Sequence, residues 1–254
     1  MLRKILLSVW MLVCAGGAGI AEGSLVEFEG RYWWADLDAK ARAVESNLGA
    51  DFDFKSDLGI GDENLPEGRL LFHLFGGHKL RFIYTQVQYE GSETVSRTIE
   101  FEGQSYTSGT RVNSDLELFY VRAGWLWEFL NVLKMVRLGT VVEAAGLFAD
   151  ATLEGPNLIP AIKESQEYVA VLPMGGLTLH VQPFKWVDVY GEASGFPAGS
   201  YGYFFDGEAG VKLTPIRYFT VKGGYRFMDI RAEKDPDFLK VQFSGPFVGG
   251  VFEF

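Results

Sequence analysis

The sequence is poor in cysteine, histidine and basic residues. Among its 254 residues there is one cysteine, Cys14, and there are three histidines, His73, His78 and His180. A lone thiol near the start leaves no disulfide framework to hold the chain together. The histidines show no metal-ligand spacing, and neither a P-loop nor a dinucleotide fingerprint occurs. The one long apolar run, Ile5 to Ile20, lies at the beginning, and nothing later is long and apolar enough for a membrane helix of about 20 residues. Lys and Arg total 23 against 33 Asp and Glu, a net charge of −10. That balance argues against nucleic acid as a partner and against a polybasic membrane-binding face. Sequence repeats and low-complexity tracts are absent.

Aromatic residues make up 15% of the chain, with 21 Phe and 11 Tyr, beside 31 Gly. This mixture favours strands and tight turns. The first residues read as a secretory signal peptide: Arg3 and Lys4, the apolar run, then small residues Gly19 and Ala21 before Glu22. Residues 1–21 are therefore expected to be removed, leaving 22–254 as one β domain. Cys14 leaves with the signal, and Val13 before it argues against a lipoprotein. Loss of Arg3 and Lys4 leaves 21 basic against 33 acidic residues, moving the charge from −10 to −12.

The remaining chain alternates apolar with polar residues in a rhythm of strand, short link, strand, long link. Val26, Phe28, Tyr32 and Trp34 oppose Glu27, Glu29 and Arg31 in the first strand; Phe219, Val221, Tyr225 and Phe227 oppose Lys222 and Arg226 in the ninth. Short links fall at Gly76, Pro183 and Thr214, and long ones at Asp38, Gly91 and Glu154. The stretch from Asp51 to Glu63 is acidic and reads as a solvated loop. Ile99 and Phe101 alternate with Glu100 and Glu102, which suggests a hairpin above the main sheet. Two places disturb the pattern. Leu116 and Leu118 have the opposite parity to Phe119, Val121 and Trp125, which calls for a β-bulge near Phe119. Pro173 interrupts the sixth strand and implies another. About ten strands result, with eight as the alternative count.

The last stretch, LKVQFSGPFVGGVFEF (Leu239–Phe254), is aromatic-rich and ends on Phe254, which shares a face with Phe252 and Val248. A closed barrel in lipid pairs its final strand with its first and leaves no edge. This stretch resembles the C-terminal signal strand of bacterial outer-membrane β-barrels. With the signal peptide and the alternation, it makes the chain resemble small outer-membrane β-barrel proteins of the OmpA/OmpW-like kind. The resemblance implies an all-β fold, a transmembrane antiparallel up-and-down barrel, in the outer membrane. It also implies that Phe252 and Phe254 are read by the barrel assembly machinery. Trp33, Trp34, Trp125, Trp127 and Trp186 fall near strand ends, where aromatic girdles lie.

In that fold the charged face points inward. The expected lumen residues are Glu27, Glu29, Arg31, Arg81, Glu117, Arg122, Glu143, Asp188, Glu192, Glu208, Lys212, Lys222 and Arg226. A barrel of this size is narrow and filled by its side chains, so the set reads as an internal salt-bridge network. The resulting expectation is a structural or surface-interaction barrel; the alternative is a small porin passing ions or small polar solutes. Some barrel families are enzymes, with active-site histidines on the outer side, whereas all three histidines here fall at the opposite end. The chain is therefore expected to be no enzyme and to carry no cofactor or metal. Its expected partners are outer-membrane lipid and lipopolysaccharide, and it is expected to be a monomer.

Overall fold

The last strand closes on the first. In the computed structural model, which describes residues 25–42, 52–96, 98–101, 104–133, 135–158, 162–234 and 237–254, ten long strands form one antiparallel ring. They are β1 (Val26–Arg42), β2 (Glu63–His73), β3 (His78–Thr94), β4 (Arg111–Val132), β5 (Val136–Gly155), β6 (Ile162–Phe184), β7 (Val187–Pro197), β8 (Gly202–Ile216), β9 (Phe219–Lys234) and β10 (Asp237–Glu253). Each pairs with its sequence neighbour, and β10 pairs with β1. That seam runs from Glu27 opposite Glu253 to Arg42 opposite Phe238. The backbone of Phe254 belongs to it: its N–H donates to the Val26 carbonyl at 2.9 Å and its carbonyl accepts from Leu25 N–H at 2.7 Å. The expected signal peptide, with Cys14, lies outside the described residues.

Short turns join β2 to β3, β4 to β5, β6 to β7 and β8 to β9, and the start of β1 and the end of β10 lie at this turn end. The longer connections lie at the other end. There a short helix, α1 (Phe54–Leu58), covers part of the opening, and Ile99–Phe101 pairs with Gln104–Tyr106 as the expected small hairpin. At the β2–β3 turn Gly77 has φ 79°, and a Cβ there would stand 2.7 Å from the Glu128 carbonyl oxygen. Only glycine fits that conformation and that approach.

Period-two alternation runs along β1 and β3, but its meaning reverses with height. On β1 the inward side chains run Glu27, Glu29, Arg31 and then Trp33, Ala35, Leu37, Ala39. The outward ones run Phe28, Tyr32, Trp34 and then Asp36, Asp38, Lys40. β3 repeats this, with Phe82 and Tyr84 outside near the turn end and Gln86, Gln88 and Glu90 outside further up, while Val87 and Tyr89 are buried within. The lower part of the barrel is apolar outside and charged inside. The upper part is polar outside and apolar inside. A belt of exposed Phe, Tyr, Trp, Leu and Val suits hydrocarbon and not water. The upper part is built like a soluble domain, with its core inside.

This reversal removes the need for the two expected bulges. Leu116 and Leu118 point inward because they belong to the upper, apolar interior, whereas Phe119, Val121 and Trp125 point to lipid. The register of β4 against β3 and β5 is continuous through Phe119, and its shift falls between Glu128 and Leu130. Pro173 stands in unbroken register opposite Ala144. It lies beyond Gly175–Gly195, the last β6–β7 pair, so its missing N–H costs no ladder bond on that edge. The tryptophan expectation also needs a correction. Trp34, Trp125, Trp127 and Trp186 are exposed on the outside, but Trp33 is fully buried in the lumen. Adjacent residues of a strand point to opposite faces, so Trp33 and Trp34 cannot share a girdle.

Part of the acidic loop is tied down. Lys55 of α1 meets Asp36 Oδ1 at 2.7 Å and Asp62 Oδ1 at 2.6 Å, and Asp62 also accepts from the Leu37 N–H at 2.8 Å. Leu58 and Ile60 insert into the upper core. Burial acts to raise the Asp62 carboxyl, but the bonds from Lys55 and Leu37 outweigh it and hold the group below its ordinary value. A depressed carboxylate stabilises the fold above its unfolded pKa, roughly 4, and that contribution is lost as pH falls through the folded value. Hydrogen-exchange protection of the Leu37 amide should therefore hold at neutral pH and drop below about pH 4. In Asp62→Asn it should already be reduced at neutral pH.

Candidate functional site

The lower lumen brings together charged side chains from nine of the ten strands, all but β6, which contributes His180. Glu208 on β8 is its busiest acceptor. It takes Arg31 Nη1 at 2.7 Å, Arg69 Nη2 at 2.7 Å, Lys222 Nζ at 3.1 Å and the Tyr190 hydroxyl at 3.2 Å. Glu67 on β2 bridges Arg31 Nη2 at 2.7 Å and Arg226 Nη1 at 2.6 Å. Arg226 also grips Asp206 with two nitrogens, at 2.9 Å and 2.6 Å. Asp206 reaches Arg122 at 2.6 Å, and Arg122 continues to Glu143 and so to Arg81. The chain of pairs therefore crosses the barrel from one wall to the other. Its members are all buried, and Arg226 is completely so.

Two cations of this layer also lie against the apolar residues above it. The Arg226 guanidinium stands 4.6 Å from the Trp33 ring, and Arg31 stands 4.6 Å from the Phe247 ring. Flat guanidinium groups stack on aromatic faces while their edges still form ion pairs. Over them Trp33, Val87, Tyr89, Tyr120, Phe204 and Phe243 fill the upper interior. The lumen is thus stacked in two layers, a charge lattice below and an apolar core above.

Twelve of the thirteen expected lumen residues point inward: Glu27, Glu29, Arg31, Arg81, Arg122, Glu143, Asp188, Glu192, Glu208, Lys212, Lys222 and Arg226. Glu117 does not. It faces outward on the upper part of β4, where Gln86 Nε2 donates to it at 3.0 Å. Its inward expectation treats Leu116 and Leu118 as lipid-facing, whereas they pack against the upper core. Central members that the sequence reading left out are Glu67, Arg69 and Asp206. Their signal was present, since each lies at period-two spacing from a charged residue of the same strand. Phe252 and Phe254 face outward at the closing seam, as expected.

All three histidines lie at the turn end. His73 Nε2 meets Glu27 at 2.5 Å, His180 Nδ1 meets Asp188 at 3.2 Å, and His78 stacks on Trp125 and Trp127. Among the described residues no cluster of His, Cys, Asp or Glu is arranged to hold a metal ion. Below the charge lattice a cavity of about 410 Å³ opens toward the turn end, lined by Glu27, His73, Lys79, Glu128, Lys212 and their neighbours.

Solved structures share this architecture. The outer membrane protease OmpT from Escherichia coli superposes with a TM-score of 0.58 at 8% identity, covering 93% of this chain and 99% of OmpT. The translocator domain of the autotransporter NalP from Neisseria meningitidis gives 0.51 at 10% identity, covering 100% and 95%. No family model matches the sequence, and no curated protein matches it. At such identities the likeness concerns the fold alone, and that fold is the outer-membrane β-barrel.

Removing one partner from a buried ion-pair network leaves its neighbours uncompensated, at a cost of about 3–5 kcal/mol. Arg226→Met should destabilise the barrel by about that amount, read as a lower urea midpoint with an unchanged slope. Glu117→Gln, outside the lattice, should leave the midpoint where it was.

Proposed function

We propose that this protein is an integral outer-membrane barrel with a structural or surface-interaction role and a filled, non-conducting lumen. The observation that carries the reading is the stacking of two closures. The buried lattice around Glu67, Glu208 and Arg226 spans the barrel, and the apolar core above it is capped in part by α1. An ion crossing from one side to the other would have to displace both. Ions pass through channels by way of carbonyl or charged side-chain rings, and an apolar constriction closes the path by dewetting; the upper interior here is a packed apolar core.

The surface offered outward is the polar upper barrel with its connections. The apolar belt contacts outer-membrane lipid and lipopolysaccharide, and the barrel acts as a monomer. Phe252 and Phe254 present the closing strand to the assembly machinery. The reading assigns the chain no reaction and no cofactor.

Reconstituted in planar bilayers, the protein should give no stable conductance steps. Steady steps in the wild type that Arg226→Ala abolishes would identify a small porin instead. Removal of Phe254 should lower the amount of heat-modifiable barrel in the outer membrane several-fold. Assembly at wild-type levels would show that the terminal aromatic is not an assembly signal.

A further inference from the structure

The cavity at the turn end is a blind cup, closed above by the charge lattice, and its lining charges are nearly all committed to one another. Lys79 bonds Glu128 at 2.7 Å, and Arg137 bonds Asp188 at 2.5 Å. Lys222 is shared between Glu29 and Glu208, each at 3.1 Å. Lys212 differs. Among the described residues it has no carboxylate at ion-pair distance; its ammonium group stands 5.3 Å from the centre of the Tyr190 ring.

Its neighbours sharpen the point. On β9 Lys222 lies directly opposite Lys212, and its own ammonium sits 4.6 Å from the same Tyr190 ring. Like charges directly opposite on paired strands repel. On β7 Asp188 lies opposite Lys212, but its oxygens already serve Arg137 and His180. Glu27, across the cup, already serves His73. Two residues toward the mouth, Thr214 and Thr220, which share a hydrogen bond of 2.8 Å, add hydroxyl groups to the same lining. Two cations thus face each other across a ring, and the carboxylates nearest to one of them, Asp188 and Glu27, act on it only at a distance and are bonded to other groups.

We infer that the turn-end cup is a binding site for a small oxyanion, a carboxylate or phosphate group, held by Lys212. Such a group supplies a directly contacting counter-charge, relieves the repulsion with Lys222 and can accept from a threonine hydroxyl. It enters from the periplasmic side, because short turns lie there in outer-membrane barrels. A cavity of about 410 Å³ admits a small solute with water around it. The site rests on the blind lumen proposed above, but bilayer conductance and anion binding are read separately, so either can fail alone.

The test is calorimetric titration of the refolded full-length barrel in detergent with inorganic phosphate, and separately with acetate, at constant ionic strength set by chloride. At least one oxyanion should bind saturably at one site per barrel. Lys212→Gln should weaken that binding about tenfold or more, and Lys212→Arg should keep it. Lys185→Gln, on the β6–β7 turn, should leave it unchanged. Each variant must first show the heat-modifiable band of a folded barrel. The absence of saturable binding would overturn the site. So would equal affinity in Lys212→Gln, or equal loss in Lys185→Gln.

Discussion

The structure depends on keeping buried carboxylates supplied with donors. Glu67, Asp206 and Glu208 sit where water is largely excluded, and an uncompensated carboxylate there would be far costlier than any single apolar contact is favourable. Each therefore receives two or more cationic groups from different strands. Because the donors Arg31, Arg69, Arg122, Lys222 and Arg226 come from four strands, satisfying the acids fixes how those strands stand around the ring. The lattice does in the lower barrel what an apolar core does in a soluble one. It also constrains registry, since moving a strand by one residue would turn its charges toward lipid.

The second constraint is the solvent outside. A strand in a bilayer must show hydrocarbon an apolar face, which leaves polar residues for the lumen. Once the strand rises above the bilayer the requirement reverses. β1, β3 and β4 each change the meaning of their alternation without changing its period, at Trp33–Trp34, near Tyr84 and near Phe119. The aromatic residues at these crossings suit the interface, where an apolar ring and a polar edge can both be accommodated. The upper barrel can then carry polar surface and connections over a dry core. The lower barrel anchors it, and the cup at the turn end is what remains of the lumen beneath the lattice.

Much of this was legible in the sequence. The ten strands, their closure through Phe254 and twelve of the lumen charges follow from period-two alternation and from link lengths. The failures share one cause. A single assignment of faces for the whole strand, apolar outside, cannot describe a strand that crosses from lipid into water. Glu117 was thereby turned inward, and an unneeded bulge was placed near Phe119. Pro173 was read as a bulge for a different reason. Strand β7 leaves the ladder with β6 after Gly195, so Pro173 has no partner on that edge, and where one strand parts from the next is not written in either sequence. Glu67, Arg69 and Asp206 carried the right spacing, but which carboxylate meets which guanidinium is settled only by the closed ring.

The central claim is the reversal of faces with height, and cysteine accessibility tests it most directly. Cys14 is the one native cysteine, and Cys14→Ala removes it. Glu117→Cys and Val121→Cys, introduced singly, place a thiol on the same outward face of β4, above and below the crossing. In intact cells a membrane-impermeant maleimide should label the first within minutes and leave the second unlabelled until the membrane is dissolved. Equal protection of both, or equal labelling of both, would contradict a barrel whose outer face passes from hydrocarbon into water between Phe119 and Glu117.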